Sequence, residues 1–105
     1  MSDQELCRRS GIREQVLNEI RTFAGIAGVK RVWLFGSRAR GDYDRASDID
    51  LASDGGDADR LRELVNDAAS TLLKFDVIDI NSDTLTQQVL ESIKNEGIIL
   101  YEKMG

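Results

Sequence analysis

Residues 34–52 read LFGSRARGDYDRASDIDLA. An apolar run breaks at Gly36-Ser37, a basic, glycine-containing turn follows, and the chain returns to an apolar run through Ser47-Asp48-Ile49-Asp50-Leu51-Ala52. Side chains of a strand alternate between its two faces, so Asp48 and Asp50 share one face while Ile49 and Leu51 point to the core. Two carboxylates held side by side repel unless one is protonated or a cation lies between them. Burying either one unpaired is costly. A hard divalent ion such as Mg2+ meets the need, because it takes oxygen ligands and keeps positions open for phosphate oxygens. Taken alone, an Asp-x-Asp pair reads more readily as strand-end chemistry, with Ser47 or Asp48 capping a turn.

Gly36-Ser37 changes that balance. A glycine directly after a strand lets the backbone come close to a ligand, and the residues that follow can present free N–H groups to a phosphate. The Ser37 hydroxyl can add a hydrogen bond, and Arg38 and Arg40 bring positive charge to the same place. Each feature alone reads as an ordinary turn or a solvated face. Together they make a longer pattern: a strand ending in Phe35-Gly36-Ser37, ten residues, then Asp48-x-Asp50 heading a second strand.

Outward from this stretch the chain alternates helical and strand-like segments. Ser2-Asp3-Gln4-Glu5 has capping-box form, and Ile12, Val16, Ile20 and Phe23 recur at helical spacing, which predicts a helical segment to about Ala24 with a break at Gly11. Val29 to Phe35 is short, β-branched and aromatic, a strand. Its Trp33 faces opposite to Val32 and Leu34 and is expected to pack under a helix. Beyond Gly55-Gly56, an Asp57 cap opens an amphipathic helix reaching Lys74, with Leu61, Leu64, Val65, Ala68 and Leu72 inward. Phe75 to Ile80 is a third strand. Residues 82–97 form a helix with Leu85, Val89 and Ile93 inward and Gly97 as its stop, and Ile98 to Tyr101 a last short strand. The expected architecture is α+β, a small mixed sheet layered with helices.

Composition narrows the function. The 105 residues, 41% hydrophobic and 31% charged, suit one modest core, and residues 1–105 are expected to be a single domain. No apolar run is long enough for a membrane span, and the polar start lacks the apolar centre of a signal peptide. The single cysteine, Cys7, can form no internal disulfide, so a cytoplasmic location is expected. The net charge of −5 argues against direct nucleic-acid binding. The absence of histidine removes the Ser-His and Cys-His nucleophile systems.

The strings LFGSRARG and SDIDLA, with their spacing, resemble the signature of the minimal nucleotidyltransferases of the DNA polymerase beta-like superfamily. That resemblance implies the nucleotidyltransferase fold, with Gly36 and Ser37, flanked by Arg38 and Arg40, on the nucleotide phosphates. It implies Asp48 and Asp50 as ligands of Mg2+ or Mn2+, with a third carboxylate on a later strand. FDVIDI offers Asp76 and Asp79, which three residues apart lie on opposite faces. The family's arrangement favours Asp76 as third metal ligand and proton acceptor, with Asp79 as the alternative. The implied reaction passes a nucleoside monophosphate, AMP from ATP, to an acceptor hydroxyl. Minimal members are typically encoded beside an all-helical HEPN-type partner in toxin–antitoxin modules, where the nucleotidyltransferase is the antitoxin and adenylylates a tyrosine of the toxin, so a hetero-oligomer is expected. The competing readings are a non-catalytic antitoxin that masks its partner by contact, and a small-molecule nucleotidyltransferase.

Overall fold

The computed structural model describes residues 1–104. The Ser2 hydroxyl accepts from the Glu5 N–H at 3.2 Å and opens α1 (Asp3–Ser10). Gly11 then ends it with a φ of 69°, in the left-handed region. The expected break is therefore a true elbow. A Cβ at Gly11 would also overlap the ring of Tyr43, so the turn is a close approach as well as a backbone requirement. Helix α2 (Glu14–Ala27) runs past Ala24 because Ala24 and Ala27 are still buried, and Gly28 caps it.

Strand β1 (Arg31–Phe35) leads through Gly36 into a single turn of helix, α3 (Ser37–Arg40). Then follow β2 (Ile49–Asp54), α4 (Ala58–Ala68), β3 (Phe75–Asp79), α5 (Gln87–Glu96) and β4 (Ile98–Glu102). The Asp57 side chain caps α4 through the Arg60 N–H at 3.0 Å.

Two helix boundaries differ from the sequence expectation. Helix α4 stops at Ala68 instead of Lys74, and Leu72, expected inward, is fully exposed. Ser70 supplies the reason: its N–H and hydroxyl both bond the Glu19 carboxylate, at 2.8 and 2.7 Å, which draws the chain out of helical geometry. Helix α5 begins at Gln87, capped by Thr86, because Ser82 and Thr84 spend their hydroxyls on each other and on a local turn.

The sheet is mixed, with strand order β3-β2-β1-β4. Strand β1 pairs antiparallel with both β2 and β4, whereas β2 and β3 run parallel. A parallel pair needs a crossover, and α4 provides it. One face of the sheet carries Val32, Leu34, Ile49, Leu51, Phe75 and Val77 into a core with Leu17, Ile20, Ala24, Leu61 and Val65 from α2 and α4. Trp33 lies on the opposite face, as the alternation predicts, with Gly97 at the end of α5 close against its indole and the Arg31 guanidinium 5.6 Å from the ring centre.

Helix side chains also reach the outer strands. Asn66 of α4 accepts from the Phe75 N–H at 3.0 Å and donates to the Phe75 carbonyl at 3.2 Å, while Arg62 donates to the Val77 carbonyl at 2.6 Å. On the far side, Arg21 of α2 donates to the Leu100 carbonyl at 2.9 Å and pairs with Asp3. No described helix is long and apolar enough to cross a membrane.

Candidate active site

The sheet register assembles the acidic cluster. Asp50 stands opposite Phe35 on one side and opposite Asp76 on the other. Asp48, expected inside the strand, lies just before β2 begins, two residues from Asp50 and at the same end of the sheet. Asp48 and Asp76 are exposed, and Asp50 is half-buried. Asp79 pairs instead with Ser53, on the same face as Val77 and Phe75. Its carboxylate accepts the Asn81 N–H at 2.9 Å. The face shared by Asp76 and Asp50 excludes Asp79.

Gly36 presses directly on this cluster. Its φ of 76° and ψ of −157° are open essentially to glycine alone. A Cβ there would collide with the Asp50 carboxylate. The turn after β1 and the carboxylate on β2 are therefore fitted to each other. Ser37 follows as the first residue of α3, its carbonyl accepting from Gly41 at 2.8 Å and Asp42 at 3.1 Å.

The two arginines part company. Arg40 is part-exposed and ion-paired to Asp42 at 3.1 Å and Glu96 at 3.0 Å. Asp42 thus belongs to a charge chain that ties α3 to α5. Arg38, expected beside phosphate, is turned inward and only 2% exposed. Its Nε donates to the Ser47 carbonyl at 3.0 Å and a terminal nitrogen to the Ser10 carbonyl at 2.8 Å, and its guanidinium lies 4.6 Å over the Tyr43 ring. Ser10 and Glu96 were not foreseen, because each reaches the site from an element remote in sequence, and Tyr43 was passed over although it lies in the same turn. The one advance signal was Tyr43, an aromatic in an otherwise polar turn.

Burial pushes the Asp50 carboxyl up to about 6, reinforced by the charges of Asp76 and Asp48 and partly offset by Arg40 and Arg38. The consequence for stability has a definite sign. Unfolded, Asp50 titrates near 3.8; folded, near 6, so between these values the native state holds the extra proton. This contribution is full below the lower value and is lost as pH rises through the upper one. Metal-free Asp50→Asn is therefore expected to melt above the parent at neutral pH, with the gap closing towards pH ~4. Solvent screening of a half-exposed carboxyl limits the effect to about 1 kcal/mol, several degrees in Tm. Melting curves across this range in chelator check it, and a gap independent of pH would refute it.

Among the described residues, no three acidic or thiol side chains are gathered tightly enough to form a ready-made ion cage. The donor set nonetheless suits a hard divalent ion: all-oxygen, two members open to solvent, and strained by mutual repulsion that a cation would relieve.

Residues 18–104 match the family described as Polymerase beta, Nucleotidyltransferase. The chain belongs to this family. It is accordingly a nucleotidyltransferase, and its α+β fold is the one expected. A Methanocaldococcus jannaschii protein, MJ0141, whose name provisionally describes it as a protein adenylyltransferase, is 34% identical over 74 residues, spanning 65% of this chain and 75% of its own. Two crystal structures are similar in fold. One is of a toxin-antitoxin with AMP-PNP (TM-score 0.68, 21% identity) and the other of a mutant of the toxin-antitoxin MntA-HpeT (TM-score 0.66, 23% identity). Each covers 84% of this nucleotidyltransferase and 74% of its own chain. Helix α1 and the Gly11 elbow precede the family match, yet the Ser10 carbonyl at the end of α1 holds Arg38.

Proposed function

We propose that this nucleotidyltransferase is the antitoxin of a toxin–antitoxin pair and transfers AMP from ATP to a tyrosine hydroxyl of an all-helical, HEPN-type partner in the cytoplasm. The observation that carries the reading is the register that sets Asp76 beside Asp50 on the face that Gly36 packs against. The adenylyltransferase name of the archaeal relative supports AMP as the group moved. The two toxin–antitoxin structures, one with AMP-PNP, support the donor and the kind of partner.

In this reaction the acceptor oxygen attacks the α-phosphorus of ATP, the bond to the bridging oxygen breaks, and pyrophosphate leaves. Asp48, Asp50 and Asp76 would hold Mg2+ or Mn2+. Such an ion, when bound, neutralises charge on the phosphate oxygens and makes the attacking hydroxyl more acidic. The chain supplies the rest. The backbone at Gly36 and the Ser37 hydroxyl bind phosphate oxygens, and Arg40, in the same single turn of helix as Ser37, exchanges its carboxylate partners for them. The open carboxylate of Asp76 accepts the acceptor's proton.

Ser37→Ala removes a hydrogen bond to a charged group, a loss of about 1.5–3 kcal/mol. Transfer is expected to fall at least tenfold, with metal affinity unchanged. An unaffected rate would return Gly36-Ser37 to the status of a structural turn.

The decisive experiment pairs the protein with the product of the neighbouring gene and supplies ATP labelled at either the α- or the γ-phosphate. Label from the α-position on a partner tyrosine, with none from the γ-position, and co-elution of the two chains on sizing are expected. Separate elution without labelling would overturn the proposal. A stable complex without labelling would favour an antitoxin that acts by contact alone.

A further inference from the structure

We infer that Arg38 is a positioning residue of the transfer reaction, a ruler that fixes the loop delivering Asp48 against the turn carrying Ser37, and not a ligand of phosphate. This rests on the reading of Asp48 and Ser37 as parts of one site, and it deepens that reading.

The placement is specific. The Arg38 backbone directly follows Ser37 in α3, while its Nε holds the carbonyl of Ser47, the residue before Asp48, at 3.0 Å. One side chain therefore spans the two halves of the site. A terminal nitrogen anchors the same group to the Ser10 carbonyl at 2.8 Å. Its flat face lies on Tyr43, whose ring is itself seated on Gly11, where a Cβ would overlap it. The loop is thus gripped at Tyr43 and at Ser47, and the grip is anchored on the α1–α2 elbow.

The chemistry of the residue fits this use. Among the described residues no carboxylate lies within ion-pair distance of Arg38, and a buried cation without a counter-ion is expensive to keep. Two carbonyls and an aromatic face offset that cost, and a planar fork is the one side chain that meets all three at once. Lysine is a point donor and cannot. At 2% exposure the guanidinium also has no open side for an arriving phosphate.

The test uses Arg38→Lys and Arg38→Met in the full chain, with ATP as the probe. A displacement of about 1 Å at a reacting group costs roughly a hundredfold. A fall in kcat of that order is expected in both variants, with KM for ATP within about threefold of the parent. In parallel, hydrogen exchange of the amides in residues 44–48 should quicken about tenfold while those of β1 and α2 keep their protection. A raised KM with kcat and loop exchange unchanged would overturn the inference and restore a phosphate contact. If Arg38→Met does not fold, Arg38→Lys decides. If the parent transfers no AMP, the proposed function fails, and loop exchange in Arg38→Lys still judges the ruler: unchanged protection rejects it.

Discussion

Asp50→Asn and Asp76→Asn are each expected to lower AMP transfer by about a thousandfold or more, roughly 4 kcal/mol of barrier, while the protein stays folded. The two residues are direct neighbours across β2 and β3, on one face and at one end of the sheet. An amide there keeps the shape and loses the charge proposed to hold a cation and accept a proton. Asp48→Asn should follow them. Asp79→Asn is the internal control: it pairs with Ser53 on the other face and accepts the Asn81 N–H, so transfer should stay within a few-fold. Labelled-ATP assays on the four variants, each with a melting curve, check the set. An active Asp76→Asn beside a dead Asp79→Asn would show that the third carboxylate works from the opposite face and would overturn the assignment.

Gly36→Ala should damage stability and transfer together. The backbone conformation alone costs a non-glycine residue about 1–3 kcal/mol. The added methyl must also displace the Asp50 carboxylate it would collide with. A fall in Tm of about 4–8 °C per kcal/mol is expected for a domain of this size. At a temperature where both proteins are folded, transfer should drop by about a hundredfold through misplacement of Asp50. Gly25→Ala offers the contrast. It lies within α2, and its added Cβ meets nothing nearer than the Tyr101 hydroxyl at 3.7 Å, so stability should hold or rise slightly. Equal behaviour of the two alanine variants would remove the special role given to Gly36.

Local periodicity was enough to place the strands and to set Asp50 on the face away from Ile49 and Leu51, because both depend only on alternation along one strand, whereas Asp48, expected on that face, falls just before β2 begins. The same alternation separated Asp76 from Asp79 before any register was known. What periodicity could not do was decide between competing local bonds. Leu72 continues the apolar spacing of α4 but sits outside, since Ser70 is captured by Glu19 from another helix. Arg38 read as a charge beside phosphate because its partners are backbone carbonyls, Ser10 and Ser47, whose positions are set by the tertiary fold. Arg40 kept its exposed placement, but its tie to Glu96 spans about half the chain and leaves no local mark. The acidic pattern of the site was legible; the scaffolding that holds it in place was not.

The helix side chains laid along the outer strands bear on how this protein avoids its own kind. An open sheet of four strands has two flanks, and unpaired peptide groups along a flank invite strand addition and fibre growth. Here the β3 flank is blunted by Asn66 and Arg62, and the β4 flank in part by Arg21. The guards are charged or amide groups on helices, so they travel with the fold and need no edge proline, which this chain lacks entirely. Self-association by sheet extension is therefore discouraged at the strand that carries Asp76. A partner is left the helical surfaces and the open face, where recognition rests on side chains and not on the promiscuous pairing of backbones.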